Sequence, residues 1–300
     1  MSAAAEASWW EASARERLAG LLDAASFAEF LPPEARASSP HLACFNLPAA
    51  FDDGVVVGHG RLDGRPVLVA AQEGRFMGGT FGEVHGAKLT GLLRAARGGD
   101  RPVLLLLDTG GVRLQEANAG EIAVSELIRT IVEARISGVP VMALLGGRAG
   151  CFGGGGIIAA TCSHIVVSEQ GRIGVTGPEV IETNAGVEEF DSRDRPLVWR
   201  VTGGRTRALT GGADAYVDGA VGEFREAAIA ALVSALPPLS RATLEAEQAR
   251  LAGRRERLRG CRDATEIWAR QGLETMPMAD LADADFRHLL AQAERPHDSR

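Results

Sequence analysis

The chain has 300 residues, 46% hydrophobic and 24% charged, with a formal net charge of −7. That suits one large domain with an appended piece and a sizeable core. The acidic balance and the 5% aromatic content argue against nucleic acid, whose binders need cationic patches and stacking rings, and against anionic membrane.

Residues 1–50 read as a helical lead-in, since 14–24 are rich in Ala, Leu, Glu and Arg before Ser26 and Pro32-Pro33 break the run. No basic segment followed by an apolar run precedes Glu16, and no stretch reaches the roughly 18 apolar residues of a membrane span, so a cytoplasmic chain is expected. Runs at 55–62 and 67–71 form a β-hairpin around Asp63-Gly64. A glycine turn follows at Phe76-Met77-Gly78-Gly79-Thr80, then a helix with Leu89, Leu92, Leu93 and Ala96 on one face, ended by Gly98-Gly99. Residues 103–107 are apolar without alternation, as in a parallel strand covered on both faces. Asp108-Thr109-Gly110-Gly111 breaks that strand, and Val124, Leu127, Ile128 and Ile131 mark a second helix, stopped by Gly138 and Pro140. A second buried strand at 141–145 ends in Gly146-Gly147, a short buried helix at 157–162 follows Gly153 to Gly156, and 165–167 form a third strand. From about residue 225 the chain becomes Ala-, Leu-, Arg- and Glu-rich, predicting helices at 225–236, 244–259 and 280–292. The expected organisation is an α/β domain over 51–235 and a helical extension over 236–300.

Two glycine turns carry the chemistry. Gly110-Gly111-Val112-Arg113-Leu114-Gln115-Glu116 and Gly153-Gly154-Gly155-Gly156 each follow a buried strand and each open a helix. Amides at a helix N-terminus lack intrahelical partners and sit at the positive end of the dipole, and glycine lets a substrate atom approach them. Two such turns can aim two donors at one oxygen; the plain alternative is a pair of close helix–strand crossings. Neither turn has the Lys of a P-loop or the spacing of a dinucleotide fingerprint.

In this order, Phe76-Met77-Gly78-Gly79, the first turn, residues 138–156 and Gly177-Pro178-Glu179-Val180-Ile181-Glu182 resemble the carboxyltransferase β subunit of bacterial acetyl-CoA carboxylase, and more widely the crotonase superfamily. The stretch Glu188-Glu189-Phe190-Asp191-Ser192-Arg193-Asp194-Arg195-Pro196, with no zinc ribbon, narrows the resemblance to malonate decarboxylase β subunits, over about residues 10–235. The resemblance implies a fold of stacked ββα units and decarboxylation of a malonyl thioester to an acetyl thioester and CO2. It implies three partners: a homologous γ subunit, a malonyl transferase, and an acyl carrier protein. The carrier would present a CoA-derived prosthetic arm of the phosphoribosyl-dephospho-CoA type, with no biotin and no covalently held cofactor on this chain. By analogy with crotonases the oxyanion donors fall at Gly111 and Gly155, with Gly110 and Gly154 as neighbours. Gly78, Gly79, Val112, Arg113, Glu116, Phe152 and Gly153 are then expected at the thioester. A biotin-dependent acyl-CoA carboxyltransferase β subunit and a non-catalytic platform completing the γ subunit's site are the competing readings.

Other residues are weighed on their own chemistry. Crotonase hydratases place a Glu soon after the glycine turn, but Ile157-Ile158 stand here and cannot activate water. Cys44, Cys151, Cys162 and Cys261 form no C-x-x-C pair, so reduced thiols are expected, and Cys151 reads as a packed core thiol because no nucleophile elbow surrounds it. His59, His85 and His164 read as structural, His288 and His297 carry no metal spacing, and no metal is expected. Glu116 in the first helical turn suits the dipole. Arg193, Arg195, Arg200, Arg205 and Arg207 concentrate positive charge; a solvated loop is one reading. A dock for an acidic carrier or its phosphates, through Arg193, Arg195, Arg205 and Arg207, is the sharper one.

Overall fold

The computed structural model describes residues 7–292 except 45, 47–51, 100, 235, 263 and 274–280. Parts of the expected lead-in and extension, and His297, lie outside the described residues.

Helix α1 (Ala14–Leu21) starts at Ser13, whose side chain accepts the Glu16 amide while the Glu16 carboxylate accepts the Ser13 amide. This reciprocal cap contributes on the order of 1 kcal/mol. The lead-in is not wholly helical, because β1 (Ala28–Glu29) joins the sheet edge beyond α1. A two-residue strand carries too little sequence pattern to be recognised beforehand. After α2 (His41–Cys44), β2 (Val55–Leu62) and β3 (Arg65–Gln72) form the expected hairpin. Asp63 and Gly64 at its tip both have positive φ, 51° and 74°, as a tight primed turn requires, and the Asp23 carboxylate accepts both their amides.

The middle of the chain alternates strand and helix: α3 (Glu83–Gly99), β4 (Val103–Leu107), α4 (Asn118–Ile136), β5 (Val141–Leu145), β6 (Cys151–Phe152), α5 (Gly154–Thr161), β7 (His164–Ser168) and β8 (Ile173–Gly174). Then come α6 (Pro178–Ala185), α7 (Arg195–Thr202), α8 (Gly204–Leu209), β9 (Ala215–Val217), α9 (Val221–Val233), α10 (Arg241–Arg257), α11 (Ala264–Arg270) and α12 (Asp283–Gln292). The main sheet runs β1-β2-β3-β4-β5-β7-β9 and is parallel from β3 onward, while β6 and β8 pair in a small second sheet.

Burial explains why β4 and β5 show no alternation. Val103, Leu105, Leu107, Val141, Ala143 and Leu145 face a core shared with α3, α4 and α5. Leu104, Leu106, Met142 and Leu144 face the opposite core, built with Trp9, α1 and α9. Both faces are covered, so both sets of positions must be apolar. The extension is only partly an appendage. Among its described residues α10 buries none, but Trp268 of α11 and Phe286 and Leu290 of α12 share a third cluster with Ala208 and Leu209 of α8.

Two buried groups set measurable properties. Trp9 stacks on Phe224 with ring centroids 4.0 Å apart and locks α9 against the sheet. His85 in α3 is enclosed, its ring nitrogens 3.1 Å from Gln72 Nε2 and 3.0 Å from the Asp53 carbonyl. Burial, reinforced by the nearby Arg113 cation, pushes its pKa down to about 3.

Trp9→Ala should cost about 3–5 kcal/mol in denaturant unfolding, as large buried aromatics do, whereas exposed Leu244→Ala should change stability by less than about 0.5 kcal/mol. For His85, the unfolded chain takes up the proton near pH 6.5 and the folded chain only near 3. Its contribution is therefore complete above pH 6.5 and declines as the pH falls toward 3. A pH series of unfolding free energies should show that decline, and His85→Gln should flatten it.

Candidate active site

The carboxyl ends of β3, β4 and β5 point the same way, and three loops leave them side by side. The two unbroken apolar runs are neighbours in the sheet: Val103 through Leu107 pair in parallel with Val141 through Leu145. Beyond the strands the pairing continues as an isolated parallel bridge between Thr109 and Cys151, with the Thr109 amide on the Gly150 carbonyl and the Phe152 amide on the Thr109 carbonyl. The two glycine turns are thus carried to each other by the sheet.

Their contact is backbone on backbone. Gly111 has φ +128° and Gly153 φ +57°, conformations that suit glycine. A Cβ at Gly153 would lie 3.4 Å from the Gly111 Cα, and one at Gly111 would lie 3.6 Å from the Phe152 carbonyl oxygen. The third loop is the short turn at Met77–Gly79. It closes on the same place: the Gly78 carbonyl accepts the Gly110 amide at 2.8 Å, and a Cβ at Gly79 would sit 1.8 Å from the Asp108 carbonyl oxygen. Asp108 ends β4 and is buried. Its carboxylate pairs with Arg17 at 2.9 Å and accepts the Ala149 amide at 2.7 Å, tying the first turn to the second.

The amides differ in availability. Gly110 donates to Gly78, and Gly111 donates to Thr109 Oγ1 at 3.1 Å. The Phe81 backbone bonds to the Gly111 carbonyl and to the Arg113 amide, and so flanks Val112 without using its N–H. Among the described residues the Val112 amide has no hydrogen-bond partner. In the second turn Gly153 caps α5 with no side-chain acceptor nearby, leaving the first-turn amides of the helix open. Gly155 and Gly156 are buried, and a Cβ at Gly155 would meet Thr109 Cγ2 at 2.4 Å, whereas Gly153 and Gly154 are half-buried. Thr109 thus meets both turns: its hydroxyl takes the Gly111 amide, which leaves the Val112 amide as the open one of the first turn, and its methyl packs against Gly155.

The other expected residues divide. Gly78, Gly79, Phe152 and Gly153 line the meeting point of the loops. Arg113 and Glu116 do not face it. Arg113 is fully enclosed, with Nη1 2.7 Å from Glu116 Oε1 and 3.0 Å from Asp53 Oδ1. Sequence reasoning missed Asp53, which lies 60 residues away and carries no local motif. Arg205 and Arg207 are not a docking patch. Arg205 is buried against Glu169 at 2.9 Å and Asp283 at 3.0 Å, and Arg207 donates to the Ile173 and Val201 carbonyls. Arg193 and Arg195 are exposed, and Arg195 lies over the Trp199 ring. Cys151 is buried in the core, where desolvation pushes its thiol pKa up and keeps it un-ionised. No group of His, Cys, Asp and Glu among the described residues is arranged to hold a metal ion. No helix among them is long and apolar enough to cross a membrane.

Known proteins are similar to this chain in sequence and fold. Residues 11–223 match the carboxyl transferase domain family. The chain is 36% identical to the malonyl-S-ACP:biotin-protein carboxyltransferase of Malonomonas rubra, across 96% of each protein. It superposes on a subunit of a Pseudomonas malonate decarboxylase hetero-tetramer in complex with malonate, with a TM-score of 0.79 and 43% identity over 89% of this chain and 98% of that one. A Pseudomonas malonate decarboxylase MdcD-MdcE hetero-dimer gives a TM-score of 0.66 and 39% identity over 82% and 96%. A crotonase-like fold, a family match over most of the length and end-to-end similarity to these subunits agree: the chain belongs to the carboxyl transferase family.

Proposed function

We propose that this chain is the β-type subunit of a malonate decarboxylase, converting a malonyl thioester on an acyl carrier protein to the acetyl thioester and CO2. The carrying observation is the contact of the two glycine turns, with open amides at Val112 and Gly154 on either side of it. When the bond between the α-carbon and the carboxylate breaks, its electron pair moves into the thioester and charge gathers on the carbonyl oxygen as an enolate. CO2 leaves, and the α-carbon then takes up a proton. Two fixed N–H donors stabilise the enolate more than the neutral thioester, and that difference lowers the barrier. Phe152, Gly78 and Gly79 would wall the thioester, and the buried, un-ionised thiol of Cys151 leaves no nucleophile at its place.

A homologous γ subunit is proposed to complete the site. Supporting this, large apolar side chains stand exposed in the segments that follow the turns: Leu114 at 85%, Ile122 at 62%, Ile157 at 40% and Val175 at 68%. Covering them needs an interface above the ~1,000 Å² of specific contacts. The malonyl transferase, the carrier and its CoA-derived arm belong to the same proposal, with Arg193 and Arg195 as the remaining exposed cations for docking. One observation favours a second reading: the Malonomonas relative is named for transfer of carboxyl to a biotin protein. On that reading the carboxyl group would pass to biotin instead of leaving as CO2.

The complex purified with its γ subunit and malonyl carrier protein should release carboxyl-labelled malonyl groups as CO2, unaffected by avidin, and this chain alone should fall well short of that rate. Label retained on a biotin protein, with avidin inhibition, would establish the second reading. Gly154→Pro is a direct probe of the donor, because proline is tolerated at the first helical position while its N–H is lost. The ring needs room, since a Cβ there would be 2.7 Å from Val124 Cγ1, so the substitution belongs in a Val124→Ala background. In the assembled complex it should lower kcat by roughly 10²–10³ relative to Val124→Ala alone, with KM little changed, while Cys151→Ala stays near wild-type rate.

A further inference from the structure

We propose that Arg113, held between Asp53 and Glu116, is a positioning residue that sets the Gly111–Val112 backbone against the second turn; its effect on rate rests on the decarboxylase reading above. The guanidinium is fully buried and makes bonds in three directions. Nη1 reaches Asp53 Oδ1 at 3.0 Å and Oδ2 at 3.1 Å, and Glu116 Oε1 at 2.7 Å. Nη2 reaches the Asp53 carbonyl at 3.2 Å and the Thr80 carbonyl at 3.3 Å. The carboxylates are anchored in turn: Asp53 accepts the amides of His85 and Ser39, and Glu116 accepts the Glu83 amide.

The cluster joins the start of β2, the start of α3 and the first glycine turn around one cation. Thr80, held by Nη2, precedes Phe81, whose amide donates to the Gly111 carbonyl at 2.8 Å and whose carbonyl accepts the Arg113 amide at 2.9 Å. The backbone on both sides of the Val112 N–H is thereby fixed to the cluster. Space is reserved for it as well: a Cβ at Gly82 would lie 2.6 Å from both Arg113 Nη1 and Glu116 Oε2.

Burying a cation with two carboxylates is costly, and apolar packing of the same volume would hold a loop at least as firmly. What a planar guanidinium adds is direction, because its donors lie in a rigid fork. A donor that must meet an enolate oxygen within a fraction of an ångström needs such a constraint, since small misplacements reduce rate steeply. Lysine keeps the charge and loses the fork; Glu116→Gln keeps an acceptor and loses the charge.

The test uses Arg113→Lys and Glu116→Gln in the assembled complex, with two readouts. Decarboxylation should show kcat lowered by about 10- to 100-fold with KM for the malonyl carrier within about twofold, and Arg113→Lys should retain more activity than Arg113→Met. Hydrogen–deuterium exchange should be faster across residues 108–117 in each variant while the β4 and β5 core strands keep wild-type protection. Wild-type kcat in folded variants, a loss confined to KM, or exchange unchanged over 108–117 would overturn the proposal, as would faster exchange throughout the core. If the wild-type complex does not decarboxylate, the functional reading fails, and the exchange difference alone then decides whether the cluster positions the turn. Should Arg113→Lys not fold, Glu116→Gln carries both readouts.

Discussion

The architecture turns on the approach of two peptide backbones at Gly111 and Gly153, both at positive φ, +128° and +57°, where an L side chain would be strained. Parallel pairing of β4 and β5 delivers the turns in register, the Thr109–Cys151 bridge extends that pairing past the strand ends, and the Asp108 carboxylate ties the two loops together. Everything else at the site follows from holding this contact. Strands buried on both faces give a rigid base, and the amides at the helix start are aimed by the strands beneath, without help from mobile side chains. On the proposed reading this is electrostatic preorganisation: the donors would be part of the main chain and need not reorganise when charge develops.

The sheet also separates two tasks. Side chains on one face of β4 and β5 pack against α3, α4 and α5, the helices that lead into and out of the glycine turns. Those on the other face pack against Trp9, α1 and α9, far from the turns in sequence. The Arg17–Asp108 pair crosses this division, linking the N-terminal helix to the end of β4. The Trp9–Phe224 stack also lies directly against Gly146 at the end of β5, and the Trp9 carbonyl accepts Arg17 Nε, so a lesion there reaches the site through the sheet and through this pair.

Much of this was legible in the residues. The unbroken apolar runs at 103–107 and 141–145 announced strands covered twice, and Asp63-Gly64 announced the hairpin, because periodicity and turn chemistry are local properties. The glycine turns were legible for the same reason. What was not legible is long-range or tertiary. Asp53 meets Arg113 across 60 residues. Arg205 and Arg207 read as surface charge because nothing nearby in sequence shows that Glu169, Asp283 and backbone carbonyls enclose them. Which amide of the first turn is engaged was equally hidden, since it depends on which way the Thr109 hydroxyl turns. Strands β6, β8 and β9, two or three residues long, are made by pairing and not by pattern.

The enclosure of Arg205 reaches beyond its own loop. One guanidinium gathers Glu169 at the end of β7 and Asp283 at the start of α12, with the Tyr216 hydroxyl of β9 on the same Asp283 oxygen at 2.6 Å, while Phe286 lies over the cation. Helix α12 is thus latched to the carboxyl end of the sheet by charge as well as by packing. An engineer who trimmed the chain after α9, taking the remaining helices for a tail, would expose the apolar surface of α8 and leave Arg205 and Glu169 half-enclosed. Helix α10 buries no residue and lies outside that latch; Arg250 and Arg254 tie it instead to the Gly211 and Thr210 carbonyls after α8.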